Sequence, residues 1–238
     1  MRPDGRKNDE LRKIEIEMDY LEYPAGSCLF RLGKTVVLCA VTVENRVPPF
    51  LVGKGQGWLT AEYSLLPAST KERTQREANT GKLTGRTQEI RRFIGRALRP
   101  VFDLTMVGER TFIIDCDVLQ ADGGTRTAAV NGAFLALYSA VKKMWLNKEF
   151  NQFPILDFVG AISAGIVQGE ILLDLCYDED SNAEVDMNLV MTGREKIIEI
   201  GATAEKIPIT KPELDRLLEV AKNGIRQIIE LEKQIISA

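Results

Sequence analysis

The amino-acid sequence predicts an α+β (mixed α/β) fold, with mixed sheets packed against helices, in a single domain over residues 1–238. Three observations lead there. Strand-like and helix-like segments alternate without a clean βαβ repeat, which disfavours a doubly wound parallel sheet. Ile90, Phe93, Ile94, Ala97, Leu98 and Val101 fall at i, i+3, i+4, i+7, i+8 and i+11, the single apolar stripe of a helix lying on a core. No Gly/Ser-rich linker divides the 238 residues. A composition of 45% hydrophobic and 27% charged residues is that of an ordinary globular chain and excludes wholesale disorder.

The elements can be justified in order. Leu29-Phe30-Arg31-Leu32, Gly33-Lys34 and Thr35-Val36-Val37-Leu38-Cys39-Ala40-Val41 read as a hairpin turning at the glycine. Pro48-Pro49 and Gly53-Lys54-Gly55-Gln56-Gly57 mark a loop, and Trp58-Leu59-Thr60-Ala61-Glu62-Tyr63 a further strand. Residues 66–84 have few apolar anchors and read as an exposed loop. The striped helix follows, with Thr84 as its N-cap and Pro100 at its end. A strand over 110–119 runs into Asp122-Gly123-Gly124 and a helix over 125–145 rich in small residues. Residues 161–167 and 171–177 read as a second hairpin about Gln168-Gly169, with strands at 187–191 and 197–200 after it. Thr210-Lys211-Pro212-Glu213 opens the last helix, which runs to about residue 235, with a capping-box pattern.

Composition also removes whole classes of chemistry. There is no histidine, so Ser-His-Asp and Cys-His catalysis, histidine-ligated zinc and histidine pH switching are excluded. Cys28, Cys39, Cys116 and Cys176 show no C-x-x-C spacing and sit in apolar stretches as small hydrophobes; a Cys28–Cys39 disulfide is the minority alternative. The N-terminal residues lack the apolar core of a signal peptide, and no apolar run approaches the roughly 18 residues of a membrane span. The expectation is a cytoplasmic protein with no membrane partner.

Three features carry candidate chemistry. Gln120-Ala121-Asp122-Gly123-Gly124-Thr125-Arg126-Thr127-Ala128 places two glycines, a hydroxyl and a guanidinium where a helix begins. Unpaired N–H groups and the positive end of the helix dipole favour an anion there. An ordinary Gly-Gly turn with Thr125 as N-cap explains the same residues. No P-loop motif occurs, and 53–57 is only a near miss for a dinucleotide fingerprint. The second feature is basic: residues 68–99 hold nine basic residues against three acids. Arg86 stands at the expected helix start beside Gly85 and Thr87. Arg91, Arg92, Arg96 and Arg99 fit a solvated helix face, whereas Arg73 and Arg76, on the loop, suit phosphates. The third is acidic: residues 170–199 hold nine acids against two basic residues, around Asp178-Glu179-Asp180 and Glu184-Val185-Asp186. That run is either a solvated loop or a hard-cation site that completes its shell with substrate phosphate. An anion cradle, an arginine strip and paired carboxylates together suit phosphoryl transfer.

At these residues the chain resembles the ribonuclease PH family. The likeness rests on Met1-Arg2-Pro3-Asp4-Gly5-Arg6, Gly57-Trp58-Leu59-Thr60-Ala61-Glu62-Tyr63, Gly85-Arg86-Thr87-Gln88-Glu89-Ile90, residues 115–128 and Glu184-Val185-Asp186-Met187-Asn188, and it spans 1 to about 230. The resemblance implies a fold like the second domain of ribosomal protein S5, with a phosphate site in the part up to about 145 and an acidic metal site in the part from about 155. It implies a phosphate-dependent 3′→5′ exoribonuclease that trims tRNA precursors and other RNA 3′ ends, releases nucleoside diphosphates and adds nucleotides in reverse. Inorganic phosphate is then a co-substrate, bound by Arg86, Gly124, Thr125 and Arg126. Mg²⁺, with Mn²⁺ as the alternative, falls to Asp180 and Asp186, which with Arg86 and Arg126 form the catalytic set. RNA falls to Arg73 and Arg76. Ala68 departs from the family, which usually carries Arg there. The implied assembly is a homohexamer, a trimer of dimers. The rival reading is an exosome-type ring subunit, either non-catalytic or active only beside a different chain.

Overall fold

The computed structural model describes residues 2–206 and 208–237; Met1, which opens the N-terminal motif, lies outside the described residues. Strands β1 (Ile14–Met18), β2 (Gly26–Leu32) and β3 (Thr35–Glu44) form an antiparallel meander, with the predicted turn between β2 and β3. β1 adds a strand ahead of the predicted hairpin; its Ile14-Glu15-Ile16-Glu17-Met18 alternation exposes the acids and half-buries the apolar side chains. β4 (Trp58–Leu65) is followed by the loop, which contains one helical turn, α1 (Glu77–Thr80).

Helix α2 (Gly85–Leu98) begins where Thr84 caps it, the hydroxyl accepting from the Thr87 N–H at 3.2 Å. It ends in a short 3₁₀ turn, Arg99–Val101, that carries Pro100. Of the four arginines assigned to a solvated helix face, only Arg92 is exposed without a described ion-pair partner. Arg91 and Arg96 pair with Glu62 and Glu199. The Arg99 guanidinium lies 4.4 Å from the Trp58 ring centroid and donates to the Leu59 carbonyl. β5 (Thr111–Gln120) completes a five-stranded sheet of order β1-β2-β3-β5-β4, antiparallel except for β4 beside β5.

Helix α3 (Thr125–Leu146) corrects one expectation. Its N-cap is Gly124, at a left-handed φ of 64°, and Thr125 is the first helical residue instead of the cap. The helix packs on β2 and β3 and also on β6 of a second sheet. Ala128, Ala129, Ala133 and Ala136 are fully buried, and such small side chains allow the close approach on both sides.

The second sheet has the order β7-β6-β8-β9, all antiparallel. β6 (Val159–Val167) and β7 (Glu170–Leu173) form the predicted hairpin, but its second arm stops four residues short of Tyr177. Asp174 turns to a left-handed φ of 56°, and Tyr177–Asp180 form a single helical turn, α4. β8 (Val185–Thr192) and β9 (Ile197–Ala204) follow. Helix α5 (Lys211–Ser237) covers β6 and β8, and Glu213 accepts from the N–H and hydroxyl of Thr210, both at 2.7 Å. All four cysteines are buried free thiols; Cys28 and Cys39 are cross-strand neighbours, and burial pushes both thiols well up. Among the described residues no helix is long and apolar enough to cross a membrane.

Candidate active site

A cavity of about 770 Å³ opens where α2, α3, α4, β8 and β9 converge, and it gathers Arg86, Arg126, Asp180 and Asp186. Each arrives for a local reason. Arg86 stands in the first turn of α2, just past the Thr84 cap. Arg126 stands in the first turn of α3, after the glycine turn. Asp180 ends α4, whose start is closed by Glu179 accepting from the Cys176 N–H at 3.0 Å. Asp186 lies on β8 opposite Thr203 of β9, and Asn188 lies opposite Gly201; cross-strand partners share a face, which here is the cavity floor.

Acids outnumber bases on the cavity wall, five to three, and the two signs face each other. Arg126 pairs with Glu89 at 3.1 Å and lies 6.0 Å from the Phe93 ring centroid. Burial pushes the Asp186 carboxyl up to about 6; the charge of Asp180 adds to this, while Arg126 and the Asn188 amide, donating at 3.1 Å, oppose it. Burial also raises Asp180, against the pull of Arg86, Arg126 and Arg12. Two carboxylates that resist joint ionisation thus face two guanidiniums across one cavity.

Gly124 and Thr125 do not line the cavity; they lie at the start of α3, next to Arg126. The Thr125 hydroxyl is buried and accepts from the Tyr63 hydroxyl at 2.9 Å. Gly123 and Gly124 adopt φ of 72° and 64°. A Cβ on Gly123 would fall 2.5 Å from the Leu175 carbonyl oxygen, so the turn packs directly on the approach to α4. A second cleft, of about 1010 Å³, runs between the 66–84 loop and the β4–β5 face, carries Arg76 and Lys82, and shares Arg86 with the first. Arg73 is exposed and lines neither.

Reasoning from the sequence missed Asn188, Thr203, Glu205 and Lys206 on the cavity wall. The period-two run Glu199, Gly201, Thr203, Glu205, polar or small throughout, was the available signal, because it gives the strand one continuous polar face opposite Ile198, Ile200 and Ala202.

Sequence models of the 3′ exoribonuclease family match the chain twice, domain 1 over residues 10–143 and domain 2 over 157–224. The chain belongs to the 3′ exoribonuclease family. Within that family it is similar to the ribonuclease PH of Syntrophomonas wolfei subsp. wolfei, at 56% identity over 99% of this chain and 98% of that one. It is 52% identical to the ribonuclease PH of Bacillus subtilis (strain 168), over 99% and 97%. Among solved structures, the fold is shared with rice (Oryza sativa) Rrp46, at a TM-score of 0.79 and 19% identity over 98% of each chain. It is also shared with an Archaeoglobus fulgidus exosome with RNA bound to the active site, at 0.82 and 22% over 96% and 91%. The two family matches divide the cavity: Arg86 and Arg126 fall in the first, Asp180 and Asp186 in the second.

Proposed function

We infer that this member of the 3′ exoribonuclease family is a phosphate-dependent 3′→5′ exoribonuclease. It transfers the terminal nucleotide of RNA to inorganic phosphate, releasing a nucleoside diphosphate, and runs in reverse to extend RNA. The observation that carries the reading is the convergence of Arg86, Arg126, Asp180 and Asp186 on one cavity, in a chain 52–56% identical to ribonucleases PH along its length.

The chemistry follows from the charges. An oxygen of phosphate forms a bond to the terminal phosphorus while the bond from that phosphorus to the upstream 3′ oxygen breaks, and the leaving oxygen takes up a proton. The attacking group is already an anion, so no imidazole base is needed. What the protein must supply is charge neutralisation and alignment. Arg86 and Arg126 hold the phosphate, the backbone amides from Gly124 into the first turn of the 22-residue helix α3 orient it and add the helix dipole, and the Thr125 hydroxyl, buried against Tyr63, steadies that turn. Glu89 holds Arg126 in place.

The oxygen donors of Asp180 and Asp186 fit Mg²⁺, which takes one or two carboxylates and completes its shell with phosphate oxygens and water. Bound there, the ion would supply positive charge to the scissile phosphate. In the alternative division of labour Asp186, its carboxyl pushed up to about 6, protonates the leaving 3′ oxygen instead of ligating the ion.

The RNA 3′ end reaches the cavity past Arg76 in the second cleft, with Arg86 shared between the two, and Arg73 holds the more distant phosphates of a tRNA precursor. Ala68, exposed where the family's arginine is expected, leaves that grip to its neighbours. The working assembly is a homohexameric ring in the cytoplasm. Support for a ring comes from the fold shared with exosome core subunits. Incubating the protein with a short RNA and nucleoside diphosphates tests the reading: 3′ extension with stoichiometric phosphate release is expected, and extension that prefers nucleoside triphosphates overturns it. Activity of the purified chain alone also rules out the partner-dependent exosome subunit.

A further inference from the structure

The N-terminal segment is held by ion pairs that the reaction itself does not use. Arg2 and Arg12 are almost fully buried, as are their partners Glu179 and Asp174. Arg2 grips Glu179 with two parallel bonds of 2.7 and 2.8 Å. Arg12 donates to Asp174 from Nε at 3.0 Å and Nη2 at 2.6 Å, and its backbone N–H adds a third bond at 2.8 Å. Asp174 has no exposed surface and sits at a left-handed φ of 56°, where its N–H donates to the Ser163 carbonyl at 2.7 Å. Buried ion pairs are no better for stability than well-packed apolar residues, so their value lies in the geometry they impose.

That geometry is imposed on the glycine turn. The Arg12 guanidinium donates onward from Nη1 to the carbonyl of Asp122 and approaches that of Gly123 at 3.5 Å. Thr35, fully buried, donates to the Gly123 carbonyl at 2.7 Å and accepts from the Asp122 N–H at 2.9 Å. In a trans peptide the N–H points opposite to the carbonyl of the same plane. Fixing the carbonyls of Asp122 and Gly123 therefore fixes the directions of the N–H groups of Gly123 and Gly124. Arg12 lies directly against this turn, since a Cβ on Gly124 would be 3.0 Å from its Nη2.

We propose that Arg12, locked by Asp174 and seconded by Thr35, is a positioning residue that aims the amides of the Gly123-Gly124 turn at the attacking phosphate. The proposal rests on the phosphate-site reading above. The Arg12–Asp174 pair joins the turn to the strand end leading into α4, and Arg2, bonded to both Glu179 and the Asp174 carbonyl, extends the lock to the turn that ends in Asp180. One network thereby sets the phosphate cradle and the carboxylates in register.

Steady-state phosphorolysis of a short RNA, with phosphate and RNA varied separately, tests this on Arg12→Lys, Thr35→Val and Arg126→Met. Lysine keeps the charge of Arg12 but not the fork that reaches the carboxylate and the carbonyls together. Arg12→Lys and Thr35→Val are each expected to raise KM for phosphate about tenfold or more, with KM for RNA within about twofold. A merely structural role would move both constants together or neither, and either result overturns the proposal. If Arg12→Lys does not fold, the isosteric Thr35→Val carries the same test. An Arg126→Met variant with unchanged KM for phosphate sinks the phosphate-site reading and the proposal with it. A raised KM in Arg126→Met alone sinks only the positioning role.

Discussion

Asp186→Asn separates what the cavity does from what it does to stability. Burial and Asp180 lift this carboxyl from its ordinary 3.8 to about 6. A shift of about 2 units is worth about 3 kcal/mol of penalty on the ionised folded state, and partial solvent access reduces this to about 2 kcal/mol. The sign follows from the direction of the shift. A carboxyl raised on folding supports the fold fully below its unfolded value, and that support is lost as pH rises through the folded value. Asparagine does not titrate, so the variant gains nothing near pH 4 and the full difference above pH 6. At 2–4 °C per kcal/mol for a chain of this size, Tm should rise by about 4–8 °C at pH 7. Thermal unfolding of both proteins at pH 4, 5, 6 and 7, without divalent ions or RNA, reads this directly. Metal-dependent turnover should meanwhile disappear. A gain that is absent, or equal at pH 4 and pH 7, would refute the electrostatic account of Asp186.

Three other outcomes are expected. Arg126→Ala should lower phosphorolysis at least about 10²-fold, the loss of one preorganised charge-stabilising donor, and near-normal rates in a phosphate-dependent assay would remove Arg126 from the reaction. Arg73→Ala should weaken tRNA binding and flatten its log–log salt dependence by about one unit; an unchanged slope takes Arg73 off the RNA path. Glu232 of α5 is fully buried, neither of its carboxylate oxygens is bonded among the described residues, and burial holds its carboxyl well above its ordinary 4.5. Glu232→Leu should therefore stabilise the protein by about 1–3 kcal/mol, more at pH 8 than at pH 4, with denaturant titration as the measure and a net loss at pH 8 as the contrary result.

Much of the fold was legible because its signals are local. The Ile90–Val101 stripe, the Thr84 cap and the Gly33 turn each lie within one element and appear as expected. The exceptions are positions where tertiary contacts overrule local preference. Thr125 has the chemistry of an N-cap, but Gly124 takes that place because the left-handed turn packs on the strand end before α4. The predicted strand over 171–177 breaks at Asp174, whose carboxylate is claimed by Arg12, 162 residues away. Nothing local in sequence announces such a partner. The same holds for the candidate site. Arg86, Arg126, Asp180 and Asp186 were readable as residue types beside helix starts and in an acidic run. That they share a cavity depends on α3 lying between two sheets. Glu205 and Lys206 looked like ordinary charged surface, since only the pairing of β9 with β8 turns their end of the strand towards Asp186.

The central claim is that phosphate, and not water, attacks the RNA terminus. A tRNA carrying a 3′ extension, incubated with the purified protein, Mg²⁺ and ³²P-labelled inorganic phosphate, tests it most directly. The account predicts no shortening without phosphate, and with it nucleoside diphosphates carrying the label in the β-phosphate. Release of unlabelled nucleoside monophosphates, or shortening at the same rate without phosphate, would contradict it.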